Sequence, residues 1–126
     1  ESHVVTFDSG SAALEQSEAV ALERLAGRIV ELIELGQSTF QVVRVRVEGH
    51  ADPTGTPEVN VRLSRDRARA AVGVLIQHGV PERLLLPEGK GALLVSTAEE
   101  GDQRMLRKVS FVVEVTTLPG PSGDPG

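Results

Sequence analysis

An acid and an arginine carry the chemistry this sequence offers. Asp52 closes the run Gly49-His50-Ala51-Asp52, and Arg67 follows one helical segment later. At 100° per residue, Leu63, Val74, Arg67, His78, Ala71, Leu75 and Ala68 share one broad arc with Arg67 near its middle. Asn60 lies two turns earlier at nearly the same angle, so an amide and a guanidinium can point the same way. A guanidinium keeps its charge at any accessible pH and is costly to bury alone, so something anionic should meet it, either Asp52 or a ligand. Arg62, Arg65, Asp66 and Arg69 fall on the opposite side of the helix and form a solvated face.

Other combinations of reactive residue types are weaker. His50 and Asp52 sit two apart beside a turn, but a third metal ligand at suitable spacing is missing, so His50 reads as a packing or hydrogen-bonding residue. Ser64, His50 and Asp52 supply the residue types of a hydrolase triad, yet Ser64 falls inside a helix and not on an exposed nucleophile elbow. Gly89-Lys90-Gly91 lacks the spacing of a phosphate loop and reads as a turn. His78 reads as a favourable last-turn residue.

The elements that must position these residues follow from periodicity. His3 to Phe7 is a short strand, followed by the turn-like Asp8-Ser9-Gly10-Ser11. Leu22, Leu25, Ile29 and Ile33 recur at helical spacing, which predicts a helix from about Ala12 or Ser17 to Leu35, stopped at Gly36. Val43, Val45 and Val47 alternate with Arg44, Arg46 and Glu48 as in a half-buried strand. Thr56-Pro57-Glu58 starts a second helix with Pro at its first position, and Gly79 with Val80-Pro81 ends it. Leu84 to Leu86 is a short strand, Pro87 to Gly91 a loop, and Arg107 to Thr116 a last strand with Val109, Phe111, Val113 and Val115 on one face. The order βαβαββ predicts an α+β fold: a two-layer sandwich whose mixed four-stranded sheet carries both helices on one face, the other face staying wet. One domain is expected over 1–117, and 118–126, rich in Pro and Gly, is a linker or disordered tail.

Composition excludes several classes. Eighteen acids against thirteen bases give a net charge of −5, and three Phe with no Trp or Tyr leave few stacking platforms, which disfavours nucleic acid. No stretch approaches the roughly 18 apolar residues of a membrane span, and no signal-peptide pattern starts at Glu1, so the sequence reads as a soluble piece of something longer. The absence of cysteine removes disulfides, thiolate metal sites and a cysteine nucleophile. No cofactor is implied.

Phe7-Asp8-Ser9-Gly10-Ser11-Ala12, Val45 to Asp52, Gly55, Asn60-Val61-Arg62-Leu63-Ser64, Arg67-Ala68, Gly79-Val80, Gly89-Lys90-Gly91 and Arg107-Lys108-Val109 together resemble the OmpA-like C-terminal domain, the peptidoglycan-binding module of bacterial envelope proteins. The resemblance runs from about Val4 to Val115. It implies that Asp52 and Arg67 grip the diaminopimelate of the stem peptide, whose free end carries an ammonium for the carboxylate and a carboxylate for the guanidinium fork. It further implies that Asn60 lines the site and that Arg107 sits beside it at the start of the last strand.

Some positions depart from the family pattern: Ala51 replaces Thr, Leu106 replaces Asn, Lys108 replaces Arg, and Ala92 replaces an acid. The resemblance thus implies a periplasmic or envelope-located, non-enzymatic module that anchors a protein or complex to the wall through the stem peptide. The alternative is a degenerate domain of the same fold that serves protein interaction or assembly, its ion pair structural. For Asn60 the alternative role is a helix-start hydrogen bond, and for Arg107 a solvated strand end.

Overall fold

The architecture is taken from a computed structural model that describes residues 4–8, 10–51, 55–92 and 107–117. Strand β1 (Val4–Thr6) is followed by helix α1 (Gln16–Gln37), strand β2 (Gln41–Ala51), helix α2 (Pro57–Gln77), a 3-10 turn (Glu82–Leu84), strand β3 (Leu85–Ala92) and strand β4 (Lys108–Thr117). The sheet order is β1-β4-β2-β3, with β2 parallel to β3 and antiparallel to β4, and β1 antiparallel to β4. This is the mixed four-stranded α+β arrangement that the sequence predicts. His3, Asp52 and 118–126 lie outside the described residues.

Burial follows the predicted periods. Val43, Val45 and Val47 of β2 are buried together with Val109 and Phe111 of β4, against Leu22, Leu25, Ala26 and Ile29 of α1 and Ala68, Ala71 and Leu75 of α2. On the opposite face Arg46 reaches Glu48 at 3.4 Å and Glu114 at 3.6 Å, and Lys90 reaches Glu88 at 2.9 Å. That face is charged, as expected, except at its His50 end.

Three expectations are corrected. The loop expected over Pro87 to Gly91 is the middle of β3, paired with β2 from Val45↔Leu85 to Ala51↔Ala92. Pro87 is tolerated because β3 is an edge of the sheet, where a missing N–H costs little. Val113 and Val115, expected in the core, are 37% and 50% exposed, because β1 pairs only with Lys108 to Ser110 and leaves the far half of β4 less covered. The buried arc of α2 comprises Asn60, Ser64, Arg67, Ala68, Ala71, Val72 and Leu75, so it is centred nearer Ser64 than Arg67, and His78 is exposed at the C-cap.

The shift of that arc has a steric cause. Gly49 and Gly89 are paired neighbours on β2 and β3, and a Cβ on either would collide with α2: at Gly49 it would meet the Ser64 carbonyl oxygen at 1.9 Å, and at Gly89 the Arg65 nitrogen at 2.8 Å. The helix therefore rests backbone-to-backbone on the sheet at Ser64. Its start is fixed by Thr56, whose side chain accepts a hydrogen bond from the Val59 N–H at 3.3 Å with Pro57 behind it. Its end is a glycine-terminated turn: Gly79 takes φ of +101°, and the Val80 N–H donates to the Leu75 carbonyl at 3.0 Å.

Candidate functional site

The predicted site residues gather around the end of β2, the first half of α2 and the chain that leaves β1. Arg67 is 0% exposed and acts as a hub for three separate segments. Its Nε donates to the Ser11 carbonyl at 2.8 Å, one terminal nitrogen to the His50 carbonyl at 2.9 Å and the other to the Asp8 carbonyl at 2.9 Å. The guanidinium carbon also lies 5.3 Å from the centre of the Phe7 ring, within reach of a cation–π attraction. Carbonyl dipoles satisfy N–H groups but carry no net charge, so they orient the fork without replacing an anion. The anion expected from the sequence, Asp52, lies outside the described residues, one position beyond Ala51 at the end of β2.

Arg107 stands at the entrance to β4, and its Nε donates to the Phe7 carbonyl at 2.9 Å. The Phe7 N–H returns a bond to the Arg107 carbonyl at 2.8 Å. Arg67 and Arg107 thus hold the same residue from two sides, one over the ring and one on the backbone. Asn60 is 5% exposed, and its amide nitrogen donates to the Gly55 carbonyl at 3.2 Å. That bond is the helix-start role weighed in the sequence, and it lies about 10 Å along α2 from Arg67 at 1.5 Å of rise per residue.

Two residues matter more than sequence reasoning suggested. Ser64, a nucleophile by residue type alone, is fully buried. Its hydroxyl donates to the Val61 carbonyl at 2.8 Å and accepts from the Gly91 N–H at 2.9 Å, which pins α2 to β3. The usable signal was the glycine pair at 49 and 89, since two Gly on adjacent strands require a close-packed partner. His50 is 8% exposed, and its Nδ1 is buried with no hydrogen-bond partner among the described residues. Burial, with the positive charge of Lys108, lowers its pKa below the ordinary imidazole value; Glu48 opposes and Lys90 adds to the effect. Among the described residues no group of three His, Asp or Glu side chains is placed to hold a metal ion, and no helix is long and apolar enough to cross a membrane.

Comparison with known proteins supplies a family context for this geometry. The family model described as OmpA family matches residues 6–107. The probable lipoprotein YiaD of Escherichia coli (strain K12) is 31% identical over 118 residues, covering 91% of this chain and 48% of YiaD. The chain therefore spans about half the length of that relative. Among solved structures, the peptidoglycan-associated lipoprotein from Burkholderia pseudomallei superposes with a TM-score of 0.72 at 20% identity, over 88% of this chain and 89% of that one. The periplasmic domain of Helicobacter pylori MotB gives the same TM-score at 20% identity, over 89% and 80%. At these identities the superpositions speak for the fold.

Proposed function

This chain belongs to the OmpA family, and from that premise we propose that it is an envelope-located binding module that anchors its parent protein to peptidoglycan by non-covalent capture of the stem peptide. The bacterial envelope is its setting, as for its relatives. The ligand group is the free end of diaminopimelate, a zwitterion. Asp52 receives the ammonium and Arg67 faces the carboxylate, with Asn60 and Arg107 lining the site. No bond is made or broken.

The observation that carries this reading is the bond from Arg67 to the His50 carbonyl. It ties the guanidinium to the strand end that leads through Ala51 into Asp52, so the two charges required by a zwitterion are joined through one short piece of backbone. A charged fork held by three carbonyls is preorganised, which reduces the ordering cost when a carboxylate arrives.

A second reading has an observation of its own. The complete burial of Arg67 and its three carbonyl bonds suit a structural cation, in a domain used for protein assembly. The two are separated by calorimetric titration of the domain with a diaminopimelate-containing stem peptide, with an amidated or lysine-containing peptide as control. Saturable binding to the first alone, abolished by Asp52→Asn in a variant of unchanged melting temperature, is the expected result. Absence of binding at millimolar peptide would leave assembly as the function.

A further inference from the structure

Strand β4 is paired unequally on its two sides. β2 runs beside it as far as Thr117, whereas β1 covers only Lys108 to Ser110. Among the described residues, no strand lies against the outer edge of β4 from Phe111 to Thr117. The Phe7 N–H donates to the Arg107 carbonyl at 2.8 Å, which sets the phase of the ladder: odd-numbered residues of β4 turn their main-chain groups toward β1. Past the end of β1, the N–H and C=O groups of Phe111, Val113, Val115 and Thr117 therefore point outward. Edge strands are ordinarily blunted by Lys, Pro or a bulge. β3, at the opposite edge of the sheet, has all three: Pro87, Lys90 and a register shift against β2 between Gly49 and Ala51. The free stretch of β4, Phe-Val-Val-Glu-Val-Thr-Thr, has none of them, and its pairing with β2 is unbroken.

Val113 and Val115 are 37% and 50% exposed on the helix side of this edge, and α1 adds Leu32, 39% exposed. Leu32 shares a stripe of α1 with Leu25 and Glu18 at seven-residue spacing, and Glu18 bonds Thr6, which pairs with Lys108. At its other end α1 rests Gly36 on Gln41, the partner of Thr117, so α1 and β4 run the same way. Leu32 lies roughly 21 Å along α1 from Glu18, level with Val113 to Val115 at roughly 17–23 Å along β4 from Lys108. We propose that this edge is a dimerisation surface that takes the same edge of a second copy of this chain, antiparallel about Glu114. Centred there, all seven free residues pair without reaching Ser110, where the cover of β1 begins. Phe111 of each copy meets Thr117 of the other and Val113 meets Val115, so outward-pointing main-chain groups face their like and four valines close beside the Leu32 pair. On the open face the two Glu114 carboxylates meet across the dyad. Arg44 stands opposite Glu114 on β2 and Arg46 Nε lies 3.6 Å from its carboxylate, so two acids are accompanied by four guanidiniums. The contact is isologous and closes at two copies. The two β2 tips then lie at opposite ends of one continuous sheet. The inference does not depend on the peptidoglycan reading.

The test is the mass of the whole chain in solution, by sedimentation from micromolar to millimolar concentration. Wild type is expected to dimerise, with hydrogen exchange at the Val113 and Val115 amides slowing as the dimer forms. Val115→Lys alters an exposed position and supplies an edge lysine; it is expected to raise the dimer dissociation constant by about tenfold or more, since the dyad counts the change twice, with the circular dichroism spectrum unchanged. Glu114→Arg, also at an exposed position, places like charges on the dyad and should do the same, most strongly at low salt. A wild type that stays monomeric at millimolar concentration would overturn the proposal, whether its edge amides exchange fast or are protected by residues ahead of Val4. A dimer that both variants leave intact would overturn it too, since another surface would then be in use.

Discussion

Arg67 shows how a single residue can be buried because of its polar groups and not in spite of them. Its planar fork meets carbonyls from Asp8, Ser11 and His50 in three directions, a pattern that the point charge of lysine cannot reproduce. Arg67→Ala is expected to destabilise the domain by about 3–5 kcal/mol in urea unfolding, because the buried His50 carbonyl, the part-buried carbonyls of Asp8 and Ser11 and any anion beside them lose their partner. Arg67→Lys should recover only part of that loss. A melting curve of Arg67→Ala identical to wild type would show that the hub holds nothing together.

His50 gives the residue-scale pH dependence. Burial and Lys108 disfavour its imidazolium in the folded state, so its folded pKa lies below its unfolded value. The unfolded chain then binds more protons in that window, and stability falls as pH drops through about 6.5. Urea midpoints measured on either side of that pH should differ, and His50→Gln should flatten the slope. An unchanged slope in the variant would assign the effect to other groups.

At the scale of elements, the contact of α2 with β2 and β3 is the tightest glycine contact among the described residues. Ser64 sits over the Gly49 and Gly89 pair and bonds both its own helix and β3. Ser64→Ala should cost about 1–3 kcal/mol, the penalty for leaving the buried Gly91 N–H unsatisfied. Gly49→Ala should be worse, since its Cβ would fall 1.9 Å from a backbone oxygen that cannot swing away. Circular dichroism melts of the two variants rank these effects, and a Gly49→Ala domain that melts like wild type would refute the close-packed contact.

This junction also marks where the sequence stopped being legible. The helices and β2 could be read because apolar residues recur at 3.6 or 2, a signal written in the chain itself. Strand β3 could be read only at its start, Leu85-Leu86, since Pro87, Glu88, Gly89 and Gly91 look like a loop until α2 is known to lie against them and β2 alongside. The angular position of Arg67 on α2 was readable, but its partners were not, because Asp8 and Ser11 contribute backbone carbonyls, which have no residue signature. The role of Asn60 was readable only as a choice, and its bond to the Gly55 carbonyl is the local one.

On the scale of the whole molecule, the described segments are joined through a few long-range polar links and not through packing alone. Thr6 gives both its N–H and its hydroxyl to Glu18 in the first turn of α1, at 3.1 and 2.8 Å. Phe7 exchanges bonds with Arg107, a hundred residues away. These links converge on one short stretch, Thr6 to Ser11. A domain that anchors as proposed works under mechanical load, and that stretch lies between Val4 and the proposed grip. Pulled at Val4 and resisted at the tip of β2, β1 would be sheared along β4, so that its hydrogen bonds share the force instead of opening one by one. Once β1 yields, the next resistance is the three-pronged hold of Arg67 on Asp8, Ser11 and His50. The buried arginine would then be the last tie between the first segment and the core, letting β1 peel away while Asp8 and Ser11 stay fastened to the end of β2.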